Sequence, residues 1–201
     1  MRLFLPLLLA LLLIAGGTYY QFYYPPMVKK HATEHALQHF ADAVATKDRA
    51  KIGEALQQWL TDTAHIRLEI GFFSLAQPEG GKPATEDFDK PTFITFIDNI
   101  LYSLSDYDYR AQLHDFSLSA DGKIASVAFA SQAWGDGMSY YGGTGINMRF
   151  SSDSACEGEV AFDGEKPRLD KVTCKMQLRS VPKPGEAEKL QNPETLREFL
   201  R

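Results

Sequence analysis

Apolar positions first recur at helical spacing. Between Val28 and Lys47, the residues Ala36, Leu37, Phe40, Ala41 and Val44 fall on one face of a 3.6-residue period. The stretch TKDR interrupts them, and Ile52, Ala55, Leu56, Trp59 and Leu60 then form the stripe of a second helix, with Asp48 placed to cap it. HIRLEIGF alternates instead. Ile66, Leu68, Ile70 and Phe72 share one face and His65, Arg67 and Glu69 the other, the pattern of a half-buried strand. Residues 76–91, AQPEGGKPATEDFDKP, are rich in Gly, Pro and charge and read as a flexible loop, a lid or an insertion. A third helix is expected from about Pro91 to Leu104, with Phe93, Phe96, Ile97, Ile100, Leu101 and Leu104 inward.

Strand patterns follow over about Tyr107–Leu118, Lys123–Trp134, Met138–Ser151, Ala155–Phe162 and Arg168–Val181, with turns at SADGK, FDGEK and WGDG. The order predicts an α+β fold in which three helices pack on one face of a curved antiparallel sheet. The expected folded domain spans residues 27–181. Residues 182–201 form a polar tail with one short helical pattern near Pro193–Leu200.

Before this domain, Leu3 to Ala15 is almost wholly apolar, with Arg2 the only charged side chain in front of it. Residues 1–26 therefore read as a targeting segment, and two readings stay open. Ala15-x-Gly17 fits the small-residue mark of a cleaved signal. Leu3 to Phe22 also reaches the ~20 residues that a membrane-spanning helix needs, and Tyr19, Tyr20, Phe22, Tyr23 and Tyr24 form an aromatic rim suited to a membrane surface. Pro25-Pro26 is expected to stop that helix. Both readings export the domain, as an inner-membrane, single-pass protein facing the periplasm or as a soluble periplasmic one.

The chain has two cysteines, Cys156 and Cys174. A hairpin centred near Glu165 sets them opposite each other on the more apolar faces of their strands, which predicts a cross-strand disulfide and agrees with an oxidising compartment. The net charge of −5, without a Lys/Arg cluster beyond Lys29-Lys30, argues against a nucleic-acid surface.

FADAVATKDRAKIGEALQQWLTDTAHIRLE, followed by FITFIDNILYSL and FSLSADGKIASVAFAS, resembles the nuclear transport factor 2 superfamily, which includes SnoaL-like cyclases and ketosteroid isomerases. The resemblance covers about residues 31–180. It implies a cystatin-like cone whose pocket serves catalysis or binding. In the isomerases a carboxylate near the start of the first strand acts as general base. That position falls near Leu68 here, and the family's first-helix tyrosine falls near Phe40, so both are apolar and depart from the isomerase pattern. Membrane-anchored cones of this layout also resemble assembly factors of type IV secretion.

No residue set reads as catalytic outright. In LYSLSDYDYR, the residues Tyr102, Asp106, Tyr107 and Tyr109 combine acid and phenol groups that can protonate a carbonyl oxygen. His114 and Asp115 are neighbours on opposite strand faces and form a dyad only across a bulge. His31, His35 and His39 share a helix face on the solvent side, which reads as a wet polar surface rather than a metal site. WGDGMSYYGGTG reads as a bending rim, and it lacks the lysine and helix of a phosphate loop. The leading expectation is a non-catalytic, extracytoplasmic interaction or assembly module of the bacterial envelope. Its expected partners are the membrane through residues 1–26 and a protein or a second copy through the sheet, with no cofactor and no metal. The alternative is a small apolar-ligand binder or SnoaL-like enzyme with a pocket lined by Phe40, Trp59, Phe96, Tyr102, Tyr109 and Trp134.

Overall fold

The computed structural model describes residues 24–73, 82–141 and 143–191. The apolar N-terminal run, most of its aromatic rim and the helical pattern near Pro193 lie outside them. Among the described residues, no helix is long and apolar enough to cross a membrane.

Helix α1, Tyr24–Ala45, buries Thr33, Leu37, Ala41, Ala43 and Val44. Pro25 and Pro26 lie among its first described residues, and the segment they are expected to end lies outside the described part. Its C-terminus closes at Lys47, a non-glycine residue with φ 59° in the left-handed region. Asp48 then caps α2, Arg49–Trp59, by accepting from Ala50 N and Lys51 N. Helix α3, Lys90–Ser103, is capped by Asp89 and carries Pro91 in its first turn. Its apolar stripe is only half buried, and Ile100, expected inward, is exposed.

The strands are β1, Leu60–Phe73; β2, Ala84–Asp89; β3, Leu104–Leu118; β4, Ile124–Tyr141; β5, Thr144–Asp163; and β6, Lys166–Pro182. They form one curved six-stranded sheet in the order β2-β1-β6-β5-β4-β3. It is not wholly antiparallel, because β1 pairs in parallel with β6. Descending β2 feeds an ascending α3, so β3 descends, and the fourth strand of the β3–β6 meander ascends beside β1.

Three further expectations change. Residues 84–89 are an edge strand rather than loop, with only Phe88 turned partly inward. The two patterns Met138–Ser151 and Ala155–Phe162 do not divide as read, because β5 runs unbroken from Thr144 to Asp163. WGDG is not a turn, since Trp134 to Gly137 lie inside β4, paired with both neighbours.

The main core lies between the helices and one sheet face, and it includes Leu37, Trp59, Leu60, Ile66, Leu68, Val127, Phe129, Val160 and Val172. Cys156 and Cys174 are joined within it. The turn pairs Asp163 with Lys166, which puts the pairing one residue out of the expected register. A bulge at Asp170 between the Val160–Leu169 and Glu159–Lys171 pairs then shifts the register, so that the cysteines face each other. Opposite the bulge only glycine fits, because a Cβ on Gly158 would stand 2.3 Å from Lys171 O.

Candidate functional site

Trp59 is 7% exposed within the main core. Phe96 packs against Phe88 at 4.8 Å between ring centroids. Phe40 meets Tyr109 edge-on at 5.0 Å. Burial pushes the Tyr109 phenol up, and a hydrogen bond with Ser131 partly offsets that rise. Tyr102 and Trp134 lie outside, with Tyr102 76% exposed. The six aromatic residues of the expected pocket therefore do not converge on one chamber. Between α1 and β3 there is an open hollow of about 730 Å³, and of the six only Tyr109 lines it. Several of its polar side chains are already paired, Gln38 with Asp42, Arg110 with Asp108 and Gln132 with Asp153.

The acid-aromatic stretch is split by strand alternation. Tyr107 is buried against Ala43, Val44, Ile52 and Ala55, and Tyr109 packs on the same cluster. Asp106 turns to Lys47 Nζ at 2.6 Å, and that hydrogen bond holds its carboxyl below the usual range. Lys47 also donates to Tyr107 O. Tyr102 lies beneath the Arg49 guanidinium at 5.0 Å, which is itself paired with Asp98. A tyrosine-aspartate pair aimed at one substrate atom is not assembled here. The bulge that a His114–Asp115 dyad needs is present between Leu113 and Asp115, but Asp115 accepts the N–H of Phe116. His31, His35 and His39 are all exposed, and the first two touch at 3.0 Å.

A different constellation occupies the far halves of β4 and β5. Asp136, 6% exposed, receives Arg149 Nε at 2.9 Å, Arg149 Nη2 at 3.1 Å and Lys183 Nζ at 2.8 Å. The Arg149 and Lys183 hydrogen bonds pull its carboxyl down to about 2. Arg149 also lies 5.1 Å from the Trp134 ring centroid, and Lys47 approaches the same ring at 5.7 Å. Around this ion cluster, Trp134, Met138, Tyr140 and Val181 are 37%, 52%, 70% and 47% exposed. Alternation and cross-strand register place all four on the outer face of the sheet. Reading WGDG as a turn concealed this set, because inside a strand the same letters put Trp134 and Asp136 on one face.

The outer face elsewhere is charged. Lys171 pairs with Glu159 at 3.0 Å, Arg179 with Asp153 at 3.9 Å and Arg67 with Glu69 at 3.9 Å. Apart from Ile124, at the opposite end of β4, the exposed large apolar side chains of the outer sheet gather toward one end.

No family model and no curated protein matches this chain. Among solved structures it is similar to a conserved protein from Planctomyces limnophilus, at 12% identity over 76% of this chain and 96% of that one, TM-score 0.47. A domain of unknown function with a cystatin-like fold from Nostoc punctiforme is similar at 10% identity over 73% and 76%, TM-score 0.44. A ketosteroid isomerase-like protein from Erwinia carotovora is similar at 12% identity over 77% and 98%, TM-score 0.40. At these identities and TM-scores the likeness says nothing about activity.

Proposed function

We propose that this chain is a non-catalytic interaction module of the bacterial envelope. Residues 1–26 hold it at the inner membrane, and the face around Trp134, Met138 and Tyr140 engages a protein partner. The observation that carries this reading is the clustering of exposed aromatic and methionine side chains about an arginine, a composition enriched at protein interfaces. Two features support it. The isomerase base position is taken by Leu68, buried in the core, and the Cys156–Cys174 disulfide fits an extracytoplasmic compartment. A small apolar ligand or SnoaL-like chemistry would instead need an enclosed chamber that receives polar groups.

The test places a photo-crosslinking residue at Tyr140 in the native host, with Lys175 on the charged part of the face as control. A discrete protein adduct at Tyr140, absent at Lys175 and lost with Trp134→Ala, is expected. Equal labelling at both positions, or no adduct together with a defined copurifying small molecule, would overturn the proposal.

A further inference from the structure

Helix α1 carries His31, His35 and His39 at four-residue steps on its solvent side. Residues four apart on a helix stand one above the other, close enough for two side chains to reach a single point. Of the two pairs that this spacing makes, His31 and His35 are in contact, with the Nε2 atoms of the two rings 3.0 Å apart.

That contact is open to two readings, and the positions of the rings separate them. A straight N–H···N hydrogen bond of this length sets the ring centroids ~5.3 Å apart, because each ring then lies directly behind its nitrogen. Two imidazoles that aim their nitrogens at a common ion, ~2.1 Å from each and ~90° apart, have centroids ~4.5 Å apart. The observed separation is 4.3 Å. The rings converge rather than meet head-on. The nitrogens agree with this, since ligands ~2.1 Å from an ion stand ~3.0 Å apart at a right angle and ~3.4 Å apart at the tetrahedral angle. The shorter bite is tetragonal, the preference of Cu(II), which N/O/S ligand sites also bind most tightly among the first-row divalent ions.

Glu34 adds a second observation. Its carboxylate stands 3.6 Å from His31 Nδ1, the nitrogen on the other side of the ring from the contact. A negative charge there favours a proton on Nδ1 and leaves the Nε2 lone pair for a metal, as carboxylates behind ligating histidines do. Among the described residues no group of three or more His, Cys, Asp and Glu side chains is placed to hold an ion. The chain therefore supplies two ligands, and the remaining positions stay open.

We infer that His31 and His35 form an exposed, two-nitrogen Cu(II) site on α1, with Glu34 orienting His31. The site lies on α1, apart from the sheet face around Trp134, and does not depend on the function proposed above.

The test titrates Cu(II) into the tag-free full chain against glycine as a competing chelator, with affinity read by calorimetry and nitrogen ligands by pulsed EPR. Wild type is expected to bind one ion per chain through two imidazole nitrogens. Because the pair chelates, His31→Ala, His35→Ala and the double variant should each weaken binding about tenfold or more, and to the same extent. His39→Ala should bind as wild type does. All three histidines are exposed, so far-UV circular dichroism should stay unchanged throughout. Equal affinity in wild type and the double variant would mean an adventitious ion only and would overturn the inference. Partial, additive losses from the two single variants would do the same, since they would show independent imidazoles, and so would a loss in His39→Ala equal to that in His35→Ala.

Discussion

Strands β4 and β5 each pass through two environments, and the contrast explains both how the domain holds together and where it meets other molecules. Beneath the helices, Ala125, Val127 and Phe129 on β4 and Cys156 and Val160 on β5 point into the main core. The outward residues there, such as Glu159, pair with charges on the next strand. In the far halves the pattern inverts. A small separate cluster of Ile146, Met148 and Phe150 occupies the inner side, while the outer side buries a carboxylate, Asp136, and exposes Trp134, Met138 and Tyr140. One half is held by apolar burial with charges left in water. The other exposes apolar surface around a buried carboxylate with part-exposed cationic partners, an arrangement suited to contact.

The largest expected effect lies in the packed half. Replacing both cysteines, Cys156→Ala with Cys174→Ala, removes a link across 18 residues of sequence separation and should cost about 3 kcal/mol in the chain-entropy model. The urea midpoint of the oxidised wild type against the double variant measures it. A smaller loss than that of Asp136→Ala would reverse the ranking of the two halves.

Asp136→Ala comes second, at about 2 kcal/mol, the scale for charge-assisted hydrogen bonds whose cationic partners keep some access to water. A pH dependence accompanies it. The folded-state carboxyl lies near 2 against an ordinary 3.8, so its contribution is present above the ordinary value and fades as pH falls toward 2. Glu186, also drawn down to about 2 with Lys189 as the largest cause, adds a loss in the same direction. The gap between the urea midpoints of wild type and Asp136→Asn should therefore narrow from neutral pH to about pH 2.5 without closing, because that pH still lies above the folded value of about 2, while Glu186, present in both, lowers the two midpoints alike. Parallel acid limbs in the two proteins would remove Asp136 from the account.

The sequence made the packed half legible because a single rule governs it. Wherever one face is dry and the other wet, a period of two or of 3.6 appears, and it placed Trp59, Ile66, Leu68 and the cysteine pair correctly. The far half obeys no such rule. Gly135 and Gly137 look like turn residues, yet they are glycines within a strand because Leu104 and Phe150 fill the space of their side chains. A Cβ would stand 2.5 Å from Leu104 Cδ1 at the first and 3.2 Å from Phe150 Cε2 at the second. Strand β2 escaped notice for a different reason. It is a short, charged edge strand, and charge at an edge is the feature that composition assigns to loops. Register could not be inferred across those errors, so Asp136, Arg149 and Lys183 were not brought together from sequence.

The smallest effects sharpen the comparison most, since they use one residue type in both regions. Lys183, just past β6, reaches across β5 to donate to Asp136 on β4 at 2.8 Å, and Lys171 on β6 donates to Glu159 on the neighbouring β5 at 3.0 Å. Lys183 meets Asp136, whose side chain is 8% exposed, whereas Lys171 meets Glu159, whose side chain is 43% exposed. Water and salt screen the second pair, and exposed pairs of that kind contribute little. Lys183→Ala should lower the melting temperature measurably, by less than Asp136→Ala because Arg149 still serves the carboxylate. Lys171→Ala should leave it within the scatter of repeated scans. Raising the salt concentration should not alter the ranking, because the Asp136 carboxylate is buried while that of Glu159 is not. Equal shifts for the two lysines would mean that the far half is an ordinary charged surface, and its exposed aromatics would then lose the ion cluster as their organising centre.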